Sequence, residues 1–248
     1  MNFFQATILA VIQGLTEFLP VSSSGHLVIL QKYFNFSEPP VLFDILVHVG
    51  TLGAVIIYFR KELLKISRQT IWLIILGTIP AAIVGLFLQN HIEQIFNSLK
   101  LVGLSLLVTA GFLFSTKKLK PFNRRFSQAK WQDALLVGAF QALAILPGIS
   151  RSGSTIISGL WRKFDRPTAF RFSFYLAIPA IIGATVLQLP ELISIQFNYL
   201  NQAILGMIIA GATGYFALVT LKRVLVSKKF WLFGLYCLFL GLLLLLLS

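Results

Sequence analysis

The chain has 248 residues, of which 57% are hydrophobic and only 12% charged, with mean hydropathy +0.84 and a formal net charge of +13. A soluble domain carries about 25% charged residues, so this composition excludes a soluble fold. The basic residues fall in short loops between apolar runs of membrane-spanning length, which is the positive-inside pattern of a polytopic membrane protein and excludes nucleic acid as a partner.

No Lys or Arg occurs before Lys32, so the chain start lacks the charged n-region of a cleaved signal peptide, and the first apolar stretch is expected to stay in place. Residues 2–19 form that stretch, with Gln5, Gln13, Thr16 and Glu17 on it, and Pro20 ends it. A second short apolar run reaches about Lys32. The two together fall short of the roughly 40 residues that two full spans need, so a re-entrant helical hairpin is expected. A polar turn at 31–40 leads to full-length apolar runs at about 41–59, 70–88 and 100–116. Arg60, Lys61, Glu62, Lys65 and Arg68 separate the first two; the loop at 89–99 has no Lys or Arg. After the third comes a strongly basic loop, 117–130.

Residues 131–161 hold the most informative stretch, Pro147-Gly148-Ile149-Ser150-Arg151-Ser152-Gly153-Ser154-Thr155, and are flanked on both sides by basic loops. Both ends therefore lie on the cytoplasmic side, and the segment must enter the membrane and return. Each arm of about 15 residues reaches about 22 Å, short of a hydrocarbon core of about 30 Å, which again describes a re-entrant hairpin. Full spans follow at about 172–189, 202–221 and 231–247, with an outer loop at 190–201 and a basic loop at 222–229. The expected fold is an all-α polytopic membrane protein: six transmembrane helices plus two hairpins entering from opposite faces, ten helices in all, with both termini outside. Cys237, the sole cysteine, is read as an apolar packing residue.

The chain repeats itself. Gln13 to Pro20 resembles Gln141 to Pro147, and each leads into a Ser/Gly cluster; Thr78-Ile-Pro80 to Gly85 resembles Ala177-Ile-Pro179 to Gly183. Repeat 1 is placed at about 1–116 and repeat 2 at about 131–247, within one membrane domain. Oppositely inserted repeats place their site at the midplane between two broken helices.

At the first break, Ser22, Ser23 and Ser24 offer N-cap hydroxyls; at the second, Ser150 and Ser152 do the same, so two short helices would aim positive N-termini into one cavity. Arg151 adds a fork of donors suited to phosphate oxygens. Gln13 and Glu17 share a helix face. An ionisable side chain at depth costs about 2.5–3.5 kcal/mol on insertion scales, so Glu17 and Arg151 beside the breaks mark a site, although mutual pairing is the bland alternative. His26, after Ser-Ser-Ser-Gly, is a candidate base or nucleophile. Asp44 and His48, four apart near a membrane face, are read as support for the site, a ligand role being the weaker reading; His91 as solvated; and Glu62, Glu93, Asp133, Asp165 and Glu191 as span-end residues that need no function.

These residues resemble the undecaprenyl-diphosphatases of the bacterial cytoplasmic membrane, also called bacitracin-resistance proteins. Gln13 to Glu17 matches the family's (Glu/Gln)-x-x-x-Glu motif, followed by Phe-Leu-Pro-Val-Ser-Ser-Ser-Gly-His at 18–26; Pro147 to Ser152 matches Pro-Gly-x-Ser-Arg-Ser, with Thr155 after it. The Phe-Ser-Phe run at 172–174 and Ala-Ile-Pro at 177–179 also look like the family. The resemblance implies hydrolysis of undecaprenyl diphosphate to the monophosphate and phosphate, recycling a carrier lipid for peptidoglycan synthesis. Bacitracin competes for that substrate. It implies a divalent cation, Mg2+ or Ca2+, an active site opening to the outer face, and residue roles. Glu17 with Gln13 would hold the metal, or Glu17 would orient water. Arg151 would clamp the diphosphate. Ser22, Ser23 and Ser24 would hold phosphate, one of them as nucleophile unless His26 or water attacks. Ser150, Ser152 and Thr155 would complete an oxygen cradle. Gln13 departs from the Glu of many members, so a two-carboxylate metal site is absent. A homodimer is left open.

Two rivals stand beside this reading, and a third, bland one, an ion or solute channel, is weakened by the density of reactive side chains at one break. The type-2 phosphatidic acid phosphatase family shares a Ser-Gly-His element, but Ile157 and Trp161 stand where its His and Asp belong, and Gly159 where the Lys before Arg166-Pro167 belongs. A lipid flippase or transporter has the same inverted-repeat architecture; the Glu, Ser and His cluster favours hydrolysis, because a carrier needs no base beside its anion.

Overall fold

A computed structural model describes residues 1–36, 40–88, 98–189 and 199–247. Among these the chain forms ten α-helices: α1 (Phe3–Phe18), α2 (Ser23–Tyr33), α3 (Val41–Leu63), α4 (Arg68–Leu88), α5 (Leu99–Ser115), α6 (Trp131–Leu143), α7 (Arg151–Trp161), α8 (Arg166–Gln188), α9 (Leu200–Val226) and α10 (Phe233–Leu247). The described residues contain no strand, only an isolated bridge between Arg124 and Phe164. Most of the outer loops expected at 89–99 and 190–201, with His91, Glu93 and Glu191, lie outside the described residues.

Among the described residues six helical segments are long and apolar enough to cross a membrane: Val41–Leu63, Arg68–Leu88, Leu99–Lys118, Arg166–Gln188, Leu200–Val226 and Phe230–Leu247. The remaining four helices are short. α1 has 16 residues, α6 has 13, and α2 and α7 have 11 each. At 1.5 Å per residue they reach about 16–24 Å, less than a hydrocarbon core of about 30 Å. They pair as α1–α2 and α6–α7, each pair folded back at a break.

Three helices run further into the basic segments than the sequence expectation. α8 starts at Arg166 rather than near 172, because Asp165 Oδ1 accepts the Thr168 N–H at 2.7 Å and Pro167 occupies the first turn. α3 absorbs Arg60 and Lys61 and α9 absorbs Lys222 and Arg223, where cations favour the helix C-terminus. Pro80 and Pro179, the repeated Ile-Pro pair, both lie inside helices, α4 and α8.

The packing is that of a bundle in lipid. One face of α4 exposes Ile71, Ile75, Ile79, Ile83 and Phe87, each four residues from the last. The opposite side approaches α6 so closely that a Cβ on Gly138 would overlap the Gly77 carbonyl. At α1 against α9, a Cβ on Gly14 would overlap Thr213 and the Ala210 carbonyl in the same way. Small residues permit such approaches where apolar burial supplies little drive between helices. Exchanging the two halves of the chain turns the α1–α9 pairing into α6–α4 and maps α5–α10 onto itself. Phe18, at the end of α1, is fully buried edge-on against Phe174 of α8 with 5.5 Å between ring centroids, which fixes the first break against the second half.

Candidate active site

Both breaks are built by local chemistry. Pro20 follows the α1 C-cap Leu19, and Ser22 then takes φ 66, a left-handed conformation costly for a residue with a Cβ. Its hydroxyl accepts the Gly25 N–H at 3.4 Å and so caps α2. At the second break Gly148 has φ 96, which glycine alone adopts without strain. Ser150 caps α7 by accepting the Gly153 N–H at 3.1 Å.

The breaks touch. Gly148 N–H donates to Ser22 Oγ at 3.0 Å, a contact across 126 residues of sequence. Thr109 of α5 braces the second break, donating to the Gly148 carbonyl at 2.9 Å and accepting the Ser150 N–H at 3.1 Å. Ser152 Oγ donates to the Leu19 carbonyl at 3.4 Å.

Glu17 is the centre of this junction. Its Oε1 accepts Arg151 Nη2 at 2.6 Å; its Oε2 accepts Ser23 Oγ at 2.6 Å and Gln13 Nε2 at 3.1 Å. His48 Nε2 lies 3.8 Å from Oε2. The ion pair is sheltered, with side-chain exposures of 15% for Arg151 and 8% for Glu17, so its charges are poorly screened. Two polar atoms here are buried without a hydrogen-bond partner among the described residues: Arg151 Nη1 and Gln13 Oε1. An orphaned buried donor costs about 1–3 kcal/mol, and more when charged. The second Nη of the guanidinium fork is therefore a donor suited to an anion oxygen, which an Arg can bind while holding a carboxylate.

His26 is buried with both ring nitrogens engaged: Nδ1 pairs with the Ser22 carbonyl at 2.7 Å and Nε2 with the Tyr236 hydroxyl at 2.6 Å. A carbonyl only accepts, so Nδ1 carries a proton, and in the neutral ring Nε2 accepts from Tyr236. Tyr236 of α10 also stacks on the imidazole, with 5.7 Å between ring centroids.

The structure thus brings together Gln13, Glu17, Ser23 and Arg151, with Ser22 and Ser24 in mutual contact at 3.3 Å, Ser150 and Ser152 at 3.2 Å, and His26 beside Ser22. Thr155 is placed differently from the others. Its hydroxyl pairs with Ser173 of α8 at 2.6 Å and donates to the Arg151 carbonyl at 2.8 Å, so it ties α7 to α8. Asp44 meets His48 through its backbone carbonyl, while its carboxylate accepts Gln31 Nε2 at 3.0 Å on each oxygen.

Sequence reasoning missed Tyr236 and Thr109. Tyr236 carried no signal, being one aromatic in an apolar run; Thr109 was a polar residue in mid-span. It also passed over Asp133, which is fully buried and accepts Arg124 Nη2 and Arg162 Nε, each at 2.5 Å, and the Lys130 N–H at 2.8 Å. That knot ties the 117–130 segment to both ends of the second hairpin and lies apart from the Glu17 junction.

The described residues hold no group of three His, Cys, Asp or Glu side chains converging as a metal site. A cation at the junction would draw on Glu17 and the free Gln13 carbonyl oxygen, hard donors that fit Mg2+ or Ca2+, with remaining positions open to phosphate oxygens and water.

The chain is similar to known proteins along nearly its whole length. The profile of the family described as bacitracin resistance protein BacA matches residues 6–243. A Carboxydothermus hydrogenoformans protein named undecaprenyl-diphosphatase is 44% identical over 97% of this chain and 95% of its own. Proteins of the same name from Desulforapulum autotrophicum and Halothermothrix orenii are 41% and 38% identical, covering 98% and 100% of this chain and 97% and 99% of their own.

Proposed function

Since the chain belongs to the bacitracin resistance protein BacA family, we propose that it hydrolyses undecaprenyl diphosphate to undecaprenyl phosphate and inorganic phosphate at the Glu17–Arg151 junction. The observation that carries the site is the convergence on one carboxylate of Arg151 from the second break and Ser23 from the first, at 2.6 Å each.

Phosphoryl transfer demands positioning and charge stabilisation more than covalent ingenuity. Arg151 binds the terminal phosphate through its free Nη1 and stabilises the charge that develops there. The N-termini of α2 and α7, capped by Ser22 and Ser150, add backbone dipoles of the same sign. Ser23 Oγ, already donating to Glu17, is the best-placed nucleophile. It attacks the terminal phosphorus and its proton passes to Glu17; the bond to the bridging oxygen breaks and undecaprenyl phosphate leaves, taking that proton from Glu17. Water, giving a proton to Glu17, then displaces the phosphoryl group from Ser23, and Glu17 returns the proton to Ser23 Oγ as inorganic phosphate departs. His26 holds the Ser22 turn and links it to Tyr236. A divalent cation held by Glu17 and Gln13 would supply further neutralisation of the diphosphate. Ser24 and Ser152 line the cradle; Thr155 keeps α7 in place.

In the cell this reaction returns the carrier lipid to peptidoglycan synthesis and removes the species that bacitracin sequesters. The enzyme sits in the bacterial cytoplasmic membrane with its termini and its active site toward the outer face. The test is phosphate release from undecaprenyl diphosphate by detergent-purified protein, with and without Mg2+ or Ca2+. Glu17→Ala, Ser23→Ala and Arg151→Ala are each expected to lower release at least about a hundredfold. No release by a folded wild type that binds the lipid would sink the hydrolase reading and favour a flippase with the same architecture. Release unaffected by Ser23→Ala would transfer the attack to water.

A further inference from the structure

His48 presents to Glu17 a ring nitrogen, Nε2, that no described hydrogen bond uses. Its Nδ1 lies 2.7 Å from the Asp44 carbonyl, an acceptor, so Nδ1 carries the proton. That leaves Nε2 facing Glu17 Oε2 at 3.8 Å, beyond hydrogen-bond range. Gln13 adds a third donor to the same carboxylate's surroundings: its Oε1 is buried without a partner among the described residues, while its Nε2 rests on Glu17 Oε2. Amide oxygen and nitrogen exchange places by a simple flip, so either end of Gln13 can face Glu17.

We propose that His48 is a ligand of the divalent cation, so that Glu17, Gln13 and His48 form a mixed oxygen and nitrogen donor set. The inference rests on the cation dependence put forward above and assigns a residue to it. Two donors about 2.1 Å from one cation lie roughly 3–4 Å apart, depending on the angle, and the 3.8 Å between Nε2 and Oε2 falls in that range. The Asp44 carbonyl plays the part that a backbone carbonyl plays behind most metal-bound imidazoles: it takes the other N–H and aims the ring. His26 cannot substitute, because its Nε2 is occupied by Tyr236. The donor set also bears on specificity. Gln13 supplies no charge, and an imidazole nitrogen suits Mn2+ and later transition ions better than Ca2+. The enzyme should therefore bind Mn2+ more tightly than Ca2+ by a wider margin than an all-oxygen site.

The experiment titrates Mn2+ into the detergent-solubilised protein, with and without inorganic phosphate. Electron paramagnetic resonance reads the free ion, and pulsed detection reads nitrogen coupling to the bound ion. Wild type is expected to bind Mn2+ with coupling from one directly ligated imidazole. His48→Gln should lose that coupling and bind at least about tenfold more weakly, with unchanged thermal stability, whereas His26→Gln should keep the coupling. Coupling that survives in His48→Gln, or bound Mn2+ in wild type without it, overturns the role of His48 and leaves a Glu17-dependent cation site standing. Binding that Glu17→Ala does not weaken, or no binding under either condition, overturns the cation reading itself.

Discussion

Arg151 Nη2 lies 2.6 Å from Glu17 Oε1 although 134 residues separate them, and the pair joins the two broken hairpins of the chain. One half of the guanidinium fork holds the carboxylate; the other half is buried with no hydrogen-bond partner among the described residues. The pairing offered as a bland reading of the sequence does occur, and it leaves donors to spare.

That division of labour makes Arg151→Lys informative. A lysine carries the charge but only a point contact, so it cannot hold Glu17 and a phosphate together. Phosphate release should fall about a hundredfold or more, near the loss for a missing transition-state donor, while the lipid still binds. A variant with near wild-type turnover would show that the fork is dispensable.

Tyr236→Phe removes the one hydroxyl on His26 Nε2 and keeps the stacked ring. The lost hydrogen bond is worth about 1 kcal/mol net, so kcat is expected to fall roughly fivefold with KM little changed. Equal kinetics in the variant would place Tyr236 outside the reaction.

The α4–α6 crossing should tolerate no added carbon. Gly138→Ala forces a methyl into the Gly77 carbonyl and is expected to cost about 1–3 kcal/mol of stability. Gly111→Ala, where a Cβ meets open space, serves as the matched control and should be neutral or mildly stabilising. Thermal unfolding in detergent distinguishes them.

Asp133 ties stability to pH. Burial pushes its pKa up, but hydrogen bonds from Arg124, the Lys130 N–H and Arg162, with the Arg124 charge, outweigh this and hold it below the ordinary 3.8. A depressed carboxylate stabilises the fold fully above the unfolded value, and that stability is lost as pH falls through the folded one. Asp133→Asn should therefore lose about 2 kcal/mol at neutral pH, and its deficit relative to wild type should shrink below about pH 4. A deficit that stays constant down to pH 3 would contradict the assignment.

Orientation is checked by a single cysteine at Lys120 in a Cys237→Ser background. An impermeant thiol reagent should reach it only after the membrane is opened, because the 117–130 segment is expected inside. Labelling of intact cells would invert the topology.

Composition and charge placement determined the class of this protein and the count of its elements. Long apolar runs and basic loops follow from the cost of polar groups in lipid, which acts on each segment separately. Pro20, Pro147 and Gly148 announced the two breaks, since each constrains the backbone locally, and Ser22 and Ser150 announced their caps. The tertiary structure decided which groups meet. Tyr236 reaches His26 from the last helix, Thr109 braces Gly148 and Ser150 from the fifth, and Thr155 turns from the cradle to Ser173. His48 was legible as a neighbour of Asp44 at helical spacing; its aim at Glu17 was not. Such contacts depend on how close two helices come and at what rotation, which small residues far away in the chain set, among them Gly14 and Gly138. Periodicity within one segment carries no record of that distance.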